Sequence, residues 1–237
     1  MKLNKINPDL SKRALVTGAS SGIGHATAHV LHEAGYVVEG IARTTPDATP
    51  NWLAMHQIDL SELDMLPTKL RDLSTDFGVL VLNAGYGRFG GLEQFSYPQI
   101  QHLLNTNLTS NVFLIKHYLP HMKRAGGGDV IIIGSESALQ GGPAGAVYCA
   151  SKFALRGLAQ SLRTDCAGSN IRVMLINPGP VETNFFADTN FAPKPGEAYS
   201  LTASQVADSV LHTIQQPRNV VVEEINLQPT HRAFQKK

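Results

Sequence analysis

The fold is decided by the stretch Thr17-Gly18-Ala19-Ser20-Ser21-Gly22-Ile23-Gly24. It joins a strand-like run, residues 14–17, to an amphipathic helical pattern over residues 22–34 that Gly35 ends. Glycines let the backbone approach a pyrophosphate closely, and a helix N-terminus supplies free N–H groups and a partial positive charge. A strand, a glycine-rich turn and a helix in this order predict a dinucleotide-binding unit, with a simple tight turn as the alternative.

Strand-like and helix-like segments alternate along the rest of the chain. Further strands are predicted at residues 36–42, 55–58, 79–82, 130–133, 171–176 and 219–223. Further helices are predicted at residues 61–74, with Ser61 as N-cap, at 98–124 in one piece or two, and at 148–167 and 201–215. This alternation predicts a doubly wound parallel sheet between two helix layers, a Rossmann-type α/β single domain over residues 1–237. The irregular region around residues 182–200 is predicted to be a substrate loop.

Composition limits the classes of function. The 237 residues are 43% hydrophobic and carry a net charge of +1, from 20 basic and 19 acidic side chains, which argues against nucleic-acid or membrane-surface binding. Cys149 and Cys166 are the only cysteines, too few for a secreted disulfide framework. Residues 1–9 lack the apolar run of a signal peptide. We therefore expect a cytoplasmic protein that acts on a small molecule.

The pair Tyr148 and Lys152 is the strongest candidate for proton transfer. The two residues are four positions apart at the start of a predicted helix, so their side chains share a face. A tyrosine has a pKa near 10 in water, and a nearby ammonium is expected to lower it toward a useful value. Tyr148 would then act as general acid or base toward an alcohol or carbonyl. A pair without function on an ordinary helix face is the alternative.

Ser135 follows the predicted strand 130–133 closely. Ligands in such sheets bind at the carboxyl ends of the strands, so its hydroxyl is expected beside Tyr148, holding the substrate oxygen. A capping or turn role is the alternative.

The end of the second strand indicates the cofactor, because Ala42 occupies the place where an NAD site has an acid and Arg43 follows. A guanidinium suits a 2′-phosphate, which favours NADP(H), and Glu39 is discounted as mid-strand.

These motifs together resemble the short-chain dehydrogenase/reductase family. The matching pieces are residues 17–24, Asn83-Ala84-Gly85, Asn107, Ser135, Tyr148-Cys149-Ala150-Ser151-Lys152 and Asn177-Pro178-Gly179. The resemblance implies the same fold and a catalytic tetrad of Asn107, Ser135, Tyr148 and Lys152, with Asn107 supporting a water near the lysine. An asparagine that satisfies backbone groups at a helix bend is the alternative for Asn107. Two positions depart from the family pattern, Leu82 before the Asn83 motif and Gly134 before Ser135.

The resemblance also implies which residues bind the dinucleotide. They are Gly18, Ser20, Ser21, Gly22, Ile23, Gly24, Arg43, Asp59, Asn83, Ala84, Gly85, Tyr148, Lys152, Pro178, Gly179 and Thr183. Asp59 resembles the acid at the adenine edge, and capping of the next helix is its alternative role. Pro178 and Gly179 border the nicotinamide, and Thr183 resembles the threonine that meets the carboxamide. Many relatives associate through the helices of Asn107 and Tyr148, which implies a homodimer or homotetramer.

The function predicted from these residues is NADP(H)-dependent interconversion of a small secondary alcohol or hydroxy compound and its carbonyl. A non-catalytic NADP(H)-binding regulatory protein is the alternative, and the intact tetrad argues against it. Phe89, Phe185, Phe186 and Phe191 fall in the predicted pocket segments and indicate an apolar substrate. The first helix carries His25, His29 and His32 on one face, which we interpret as solvated rather than metal-binding.

Overall fold

The computed structural model describes residues 12–237, so the prediction for residues 1–9 lies outside the described part. Seven strands form one parallel sheet in the order β3-β2-β1-β4-β5-β6-β8. They are β1 (Arg13–Thr17), β2 (Val37–Ala42), β3 (Leu53–Gln57), β4 (Val79–Leu82), β5 (Gly128–Ile133), β6 (Ile171–Pro178) and β8 (Glu224–Leu227). The strand order reverses direction between β1 and β4, as in a doubly wound fold, and confirms the predicted fold class.

Helices cover both faces of the sheet. They are α1 (Gly22–Glu33), α2 (Leu66–Arg71), α3 (Tyr97–Leu104), α4 (Ser110–Ala125), α5 (Ala146–Cys166) and α6 (Ala203–Gln215). Successive strand residues point to opposite faces, so Leu15 packs in the core layer with α4 and α5, and Val16 packs in the layer with α1 and α6. Burial on both sides explains why the central strands β1, β4 and β5 are mostly apolar. None of the helices among residues 12–237 has the length and apolar character to cross a lipid bilayer.

Two predicted elements differ from the structure. The helix expected from Ser61 begins only at Leu66, because Ser61 donates through its backbone N and Oγ to Asp59 Oδ1 and forms a turn instead. This start was wrong because such side-chain hydrogen bonds leave a weak periodic signal. The helical region expected over residues 98–124 is in two pieces, α3 and α4, joined by a π-helical segment, Asn105–Thr109.

The last predicted strand, residues 219–223, was also wrong. Val220 lies in a turn in which its backbone N donates to Pro217 O, and its carbonyl accepts a 3.2 Å hydrogen bond from Arg172. The ladder to β6 therefore starts later, at Glu224 opposite Leu175. A second, antiparallel sheet pairs β7 (Phe191–Pro193), inside the predicted substrate loop, with β9 (Phe234–Lys236).

A buried ion pair joins the two central strands of the carboxyl-terminal half. The Arg172 guanidinium in β6 donates two 2.8 Å hydrogen bonds to the Asp129 carboxylate in β5, and their side chains are 3% and 5% exposed. Arg218 adds a 2.6 Å contact to the same carboxylate. Arg172 also donates to the carbonyl of Ile214 at the end of α6. The pair thus fixes α6 and the turn before β8 against the sheet.

We expect Asp129→Ala to destabilise the chain by about 3–5 kcal/mol, because it leaves a buried guanidinium without its counter-charge. The measurement is the free energy of unfolding from urea denaturation. Glu62→Ala, which removes the half-exposed partner of Lys69, is the control and should cost at most about 1 kcal/mol. Equal losses in the two variants would contradict this assignment.

Candidate active site

A cleft of about 940 Å³ opens at the carboxyl edge of the sheet, where the strand order reverses. Most predicted site residues line it: Gly18, Ser20, Ser21, Gly22, Ile23, Arg43, Asp59, Asn83, Ala84, Gly85, Ser135, Tyr148, Lys152, Pro178, Gly179 and Thr183. Gly24 and Asn107 do not line the cleft but are buried directly behind its wall. The sheet edge therefore gathers residues from β1, β2, β4, β5 and β6 that are far apart in sequence.

The turn between β1 and α1 requires its glycines. Gly18 and Gly22 have φ of +68° and +54°, in the left-handed region that favours glycine. A Cβ on Gly24 would lie 2.1 Å from Gly18 O, so only glycine allows the helix to begin this close to the turn. Asn83 Nδ2 donates to Thr17 O, and Thr17 Oγ1 accepts hydrogen bonds from the backbone N atoms of Asn83 and Ala84. The turn and the end of β4 are thus fixed to each other.

Ser135 and Tyr148 meet at the floor of the cleft. The Tyr148 phenol lies close enough to the Ser135 side chain for Ser135 to lower its pKa, and both residues are buried. Ser135 Oγ also accepts a 3.1 Å hydrogen bond from Ser137 N, so the capping role considered for Ser135 is present as well. Asn177 Oδ1 accepts a 3.3 Å hydrogen bond from Ser135 N and fixes this turn to the end of β6.

Lys152 lies beneath the same floor with its ammonium buried. Its Nζ donates a 3.1 Å hydrogen bond to Ile133 O and lies 5.9 Å from the centroid of the Tyr148 ring. Burial disfavours the charged form and lowers the pKa of Lys152 from 10.5 to about 8. The carbonyl at the end of β5 thus orients the ammonium, and burial brings the pKa of the ammonium close to neutral pH.

The pKa of Tyr148 is raised to about 12, chiefly because burial disfavours the phenolate. The hydrogen bond from Ser135 acts in the opposite direction, while Cys149 and Glu136 raise the pKa further. In the chain by itself, burial rather than Lys152 decides the direction of this shift. The Lys152 ammonium donates to the carbonyl of Ile133 and is not among the groups that shift the pKa of Tyr148.

Asn107 occupies the π-helical segment and is fully buried. Its Oδ1 accepts from Tyr86 N at 3.0 Å and its Nδ2 donates to Tyr86 O at 2.9 Å, so the amide satisfies both backbone groups of that residue. The backbone-satisfying role considered for Asn107 is thus present. A Cβ on Gly85 would lie 3.2 Å from Asn107 Oδ1 and 3.8 Å from Lys152 Nζ, which places the amide beside the lysine.

The charged residues near the ends of β2 and β3 have different partners and different exposure. Glu39 accepts a 2.6 Å hydrogen bond from Arg13 and lies 2.7 Å from His56 Nε2, so its carboxylate stabilises the strands and faces away from the cleft lining. Arg43 is exposed at the cleft. For Asp59, burial raises the pKa, but hydrogen bonds from Ser61 and the charges of His102 and Arg43 outweigh it and lower the pKa overall. Asp59 forms a turn with Ser61 rather than capping α2.

An aromatic wall forms the side of the cleft opposite the glycine turn. Phe89 lies 5.3 Å and Phe185 lies 5.8 Å from the Tyr148 ring, measured between centroids. Thr183 lies next to Gly22 at the cleft mouth: a Cβ on Gly22 would lie 3.2 Å from Thr183 Cγ2. Phe234 also lines the cleft, and no sequence pattern predicts it there, because β9 reaches β7 through a pairing that no local pattern indicates.

Comparison with known proteins places this geometry in a family. The sequence pattern of the family described as short chain dehydrogenase matches residues 12–193. The chain belongs to the short-chain dehydrogenase/reductase family. It is accordingly an oxidoreductase of the dehydrogenase/reductase class that acts on CH–OH groups, and the resemblance inferred from the sequence is confirmed.

Relatives within the family differ in substrate. The chain is 32% identical over 204 residues to a 3-ketodihydrosphingosine reductase of Bacteroides thetaiotaomicron, covering 85% of this chain and 74% of that protein. It is 29% identical to a sepiapterin reductase of Chlorobaculum tepidum, covering 91% and 95%. Its fold is similar to that of an alcohol dehydrogenase from the archaeon Thermococcus sibiricus complexed with 5-hydroxy-NADP, with TM-score 0.81, 26% identity and coverage of 94% and 98%.

The histidines of α1 pack on Trp52. The ring centroids of His25, His29 and His32 lie 6.2, 5.7 and 4.8 Å from that of Trp52, and the His32 ring is stacked on it. This face is therefore half-covered by an aromatic side chain rather than simply solvated. Within residues 12–237, no three His, Cys, Asp or Glu side chains form a group that could hold a metal ion.

The lowered pKa of Lys152 has a consequence for stability. Between pH 8 and pH 10.5 the folded chain binds fewer protons at Lys152 than the unfolded chain, so its free energy of unfolding rises with pH. Relative to Lys152→Met, the wild type should gain roughly 2 kcal/mol between about pH 7 and pH 9.5. Urea denaturation at both pH values measures this gain, with exposed Lys116→Met as control. Parallel pH profiles for wild type and Lys152→Met would show that the ammonium carries no burial penalty.

Proposed function

We propose that this short-chain dehydrogenase/reductase uses NADP(H) to interconvert a small secondary alcohol or hydroxy compound and its carbonyl. The observation that carries the proposal is the closeness of Ser135 and Tyr148 to each other and to a buried Lys152, in a cleft that the glycine turn also lines. A polar proton-transfer group in an otherwise apolar, water-poor position suits a carbonyl that must be protonated as it is reduced.

The cleft residues fit a dinucleotide. The backbone of the turn at Gly18 and Gly22 lines the cleft beside the N-terminus of α1, a position that favours a pyrophosphate. Ser20, Ser21 and Ile23 line the same end of the cleft, and Asp59 lies where an adenine edge would be recognised. The residues expected to hold the remaining parts are Asn83, Ala84, Gly85, Pro178, Gly179 and Thr183.

When bound, the nicotinamide supplies or accepts a hydride. In carbonyl reduction, the Tyr148 hydroxyl donates its proton to the substrate oxygen, and in the reverse direction it takes that proton back. The Ser135 hydroxyl orients the substrate oxygen against Tyr148. Lys152 holds positive charge under the phenol, where it favours the phenolate left after proton donation. Asn107 fixes the backbone of Tyr86 and thereby holds the chain that lies beside the Lys152 ammonium.

The preference for NADP(H) rests on the end of β2. Ala42 is buried and neutral at that point, and the Arg43 guanidinium is exposed at the cleft rim. An exposed guanidinium can bind a 2′-phosphate through two hydrogen bonds. The one acid in the strand, Glu39, is already paired with Arg13 and His56. The Thermococcus sibiricus relative with its bound 5-hydroxy-NADP supports the same preference.

We expect Tyr148→Phe to lower kcat at neutral pH by about 10²–10⁴-fold, because it removes the transferable proton but keeps the ring. The measurement is NADPH oxidation against a panel of ketones, together with the Kd of NADPH by fluorescence titration, which should change little. Tyr36→Phe, outside the cleft, is the control. Unchanged activity in Tyr148→Phe would instead support a non-catalytic NADP(H)-binding regulatory protein.

Arg43→Asp tests the cofactor. We expect it to weaken NADPH binding about 100-fold or more and NADH binding only slightly, because the carboxylate repels the 2′-phosphate that the guanidinium would have bound. Isothermal titration with each nucleotide measures both losses. Arg71→Asp, with the same change of charge outside the cleft, should leave both unchanged. Equal losses for the two nucleotides in Arg43→Asp would rule out the phosphate contact.

Self-association is proposed through the helices that carry the tetrad. Val112 on α4 and Phe153 on α5 are 38% and 43% exposed, which is unusual for large apolar side chains on core helices. Their exposure supports a homodimer or homotetramer in which a second copy covers them.

A further inference from the structure

Residues 231–237, which we call the strap, cross the outer side of the substrate loop. The strap pairs with the loop through its backbone: His231 N donates to Ala198 O at 2.8 Å, Lys194 N donates to Ala233 O at 3.0 Å, and Lys237 N donates to Asn190 O at 3.0 Å. Between these bonds lies the antiparallel pairing of β9 with β7. Backbone pairing of this kind fixes the loop whatever side chains the loop carries.

Side chains anchor the strap at both ends of the pairing. The Lys237 ammonium donates to the carbonyls of Phe186 and Ala187, the second at 3.1 Å, at the end of the 3₁₀ turn Asn184–Phe186. At the other end, Arg232 forms a 2.6 Å ion pair with Glu136, the residue next to Ser135. The strap therefore connects the substrate loop to the turn that holds the candidate catalytic serine.

Phe234 extends the aromatic wall of the cleft. Its ring lies 6.2 Å from that of Phe186 and 5.7 Å from that of Phe191, and it lines the cleft while remaining 41% exposed. Phe191 in turn lies 5.0 Å from Phe89, whose ring contacts Tyr148. A continuous series of edge-to-face and tilted rings thus runs from the strap to the reacting tyrosine. An apolar ligand in contact with this series would cover the exposed part of Phe234.

We propose that the strap forms part of the substrate chamber, that Phe234 determines specificity for carbonyl compounds with a bulky apolar group, and that Lys237 holds the loop in place. This proposal rests on the proposed carbonyl reduction and deepens it. The carbonyl end of such a substrate meets Ser135 and Tyr148, and its apolar group extends along Phe89 and Phe191 to Phe234.

The first test compares benzylacetone with butanone, which share the reacting methyl ketone and differ by a phenyl group. We expect Phe234→Ala to lower kcat/KM for benzylacetone about tenfold, mainly through a higher KM, and to change that of butanone less than twofold. Gln235→Ala, in the same strand with its side chain on the opposite face, is the control. A change in the ratio of the two kcat/KM values below twofold would overturn the role of Phe234.

The second test needs no turnover. Lys237→Met keeps the length of the side chain and removes the ammonium that binds the loop, and Lys236→Met is its neighbour and control. We expect chymotrypsin to cleave after Phe185 or Phe186 about tenfold faster in Lys237→Met than in wild type or Lys236→Met, because the loop opens more often. Equal cleavage rates would overturn the holding role.

The tests separate this proposal from the proposed function. A wild-type protein that binds NADPH and reduces butanone no worse than benzylacetone contradicts the bulky apolar substrate class and leaves NADP(H)-dependent reduction standing. A wild-type protein that binds no NADPH contradicts the proposed function, and the proteolysis comparison then still decides whether Lys237 holds the loop.

Discussion

Burial of the Lys152 ammonium beneath Tyr148 is the constraint on which the site depends. A buried charge is costly, and the structure offsets the cost with one strand-end carbonyl, Ile133 O, and with a pKa lowered to about 8. The same desolvation raises the pKa of Tyr148 to about 12. The two pKa shifts have opposite directions and one cause. Burial makes the lysine easier to neutralise and the phenol harder to ionise. A positive charge brought by an oxidised nicotinamide would favour the phenolate, so the proposed reaction needs the cofactor electrostatically as well as for hydride.

Local sequence patterns predicted the features that are set by backbone geometry. The turn at residues 17–24, the seven-stranded class of sheet and the gathering of Ser135, Tyr148 and Lys152 follow from glycines, apolar runs and helical spacing, each encoded within a few residues. The start of β8 at Glu224, rather than at residue 219, could not be predicted in this way. Arg172 binds the carbonyl of Val220 across 48 residues, and no local signal reports such a contact.

Charged residues were the least predictable part of the site. Glu39 had no evident role in the sequence, and its partners Arg13 and His56 lie on neighbouring strands that only the sheet brings together. The raised pKa of Tyr148 could not be predicted for a related reason: helical spacing shows that two groups are close, but not how much water they have lost. Desolvation depends on every element that packs around a site, and the charges of Cys149 and Glu136 raise the pKa further.

The two halves of the cleft differ in how the chain encodes them. The dinucleotide half consists of strand ends and one glycine turn, so its shape follows from the sheet. The aromatic half is assembled from separate segments around Phe89, Phe185, Phe191 and Phe234, which meet through loop pairing. Side chains there can change without disturbing the sheet edge. Arg232 connects residues 231–237 to the turn after β5, because it pairs with Glu136, whose negative charge raises the pKa of Tyr148. The guanidinium therefore partly compensates a charge that opposes proton release from the phenol.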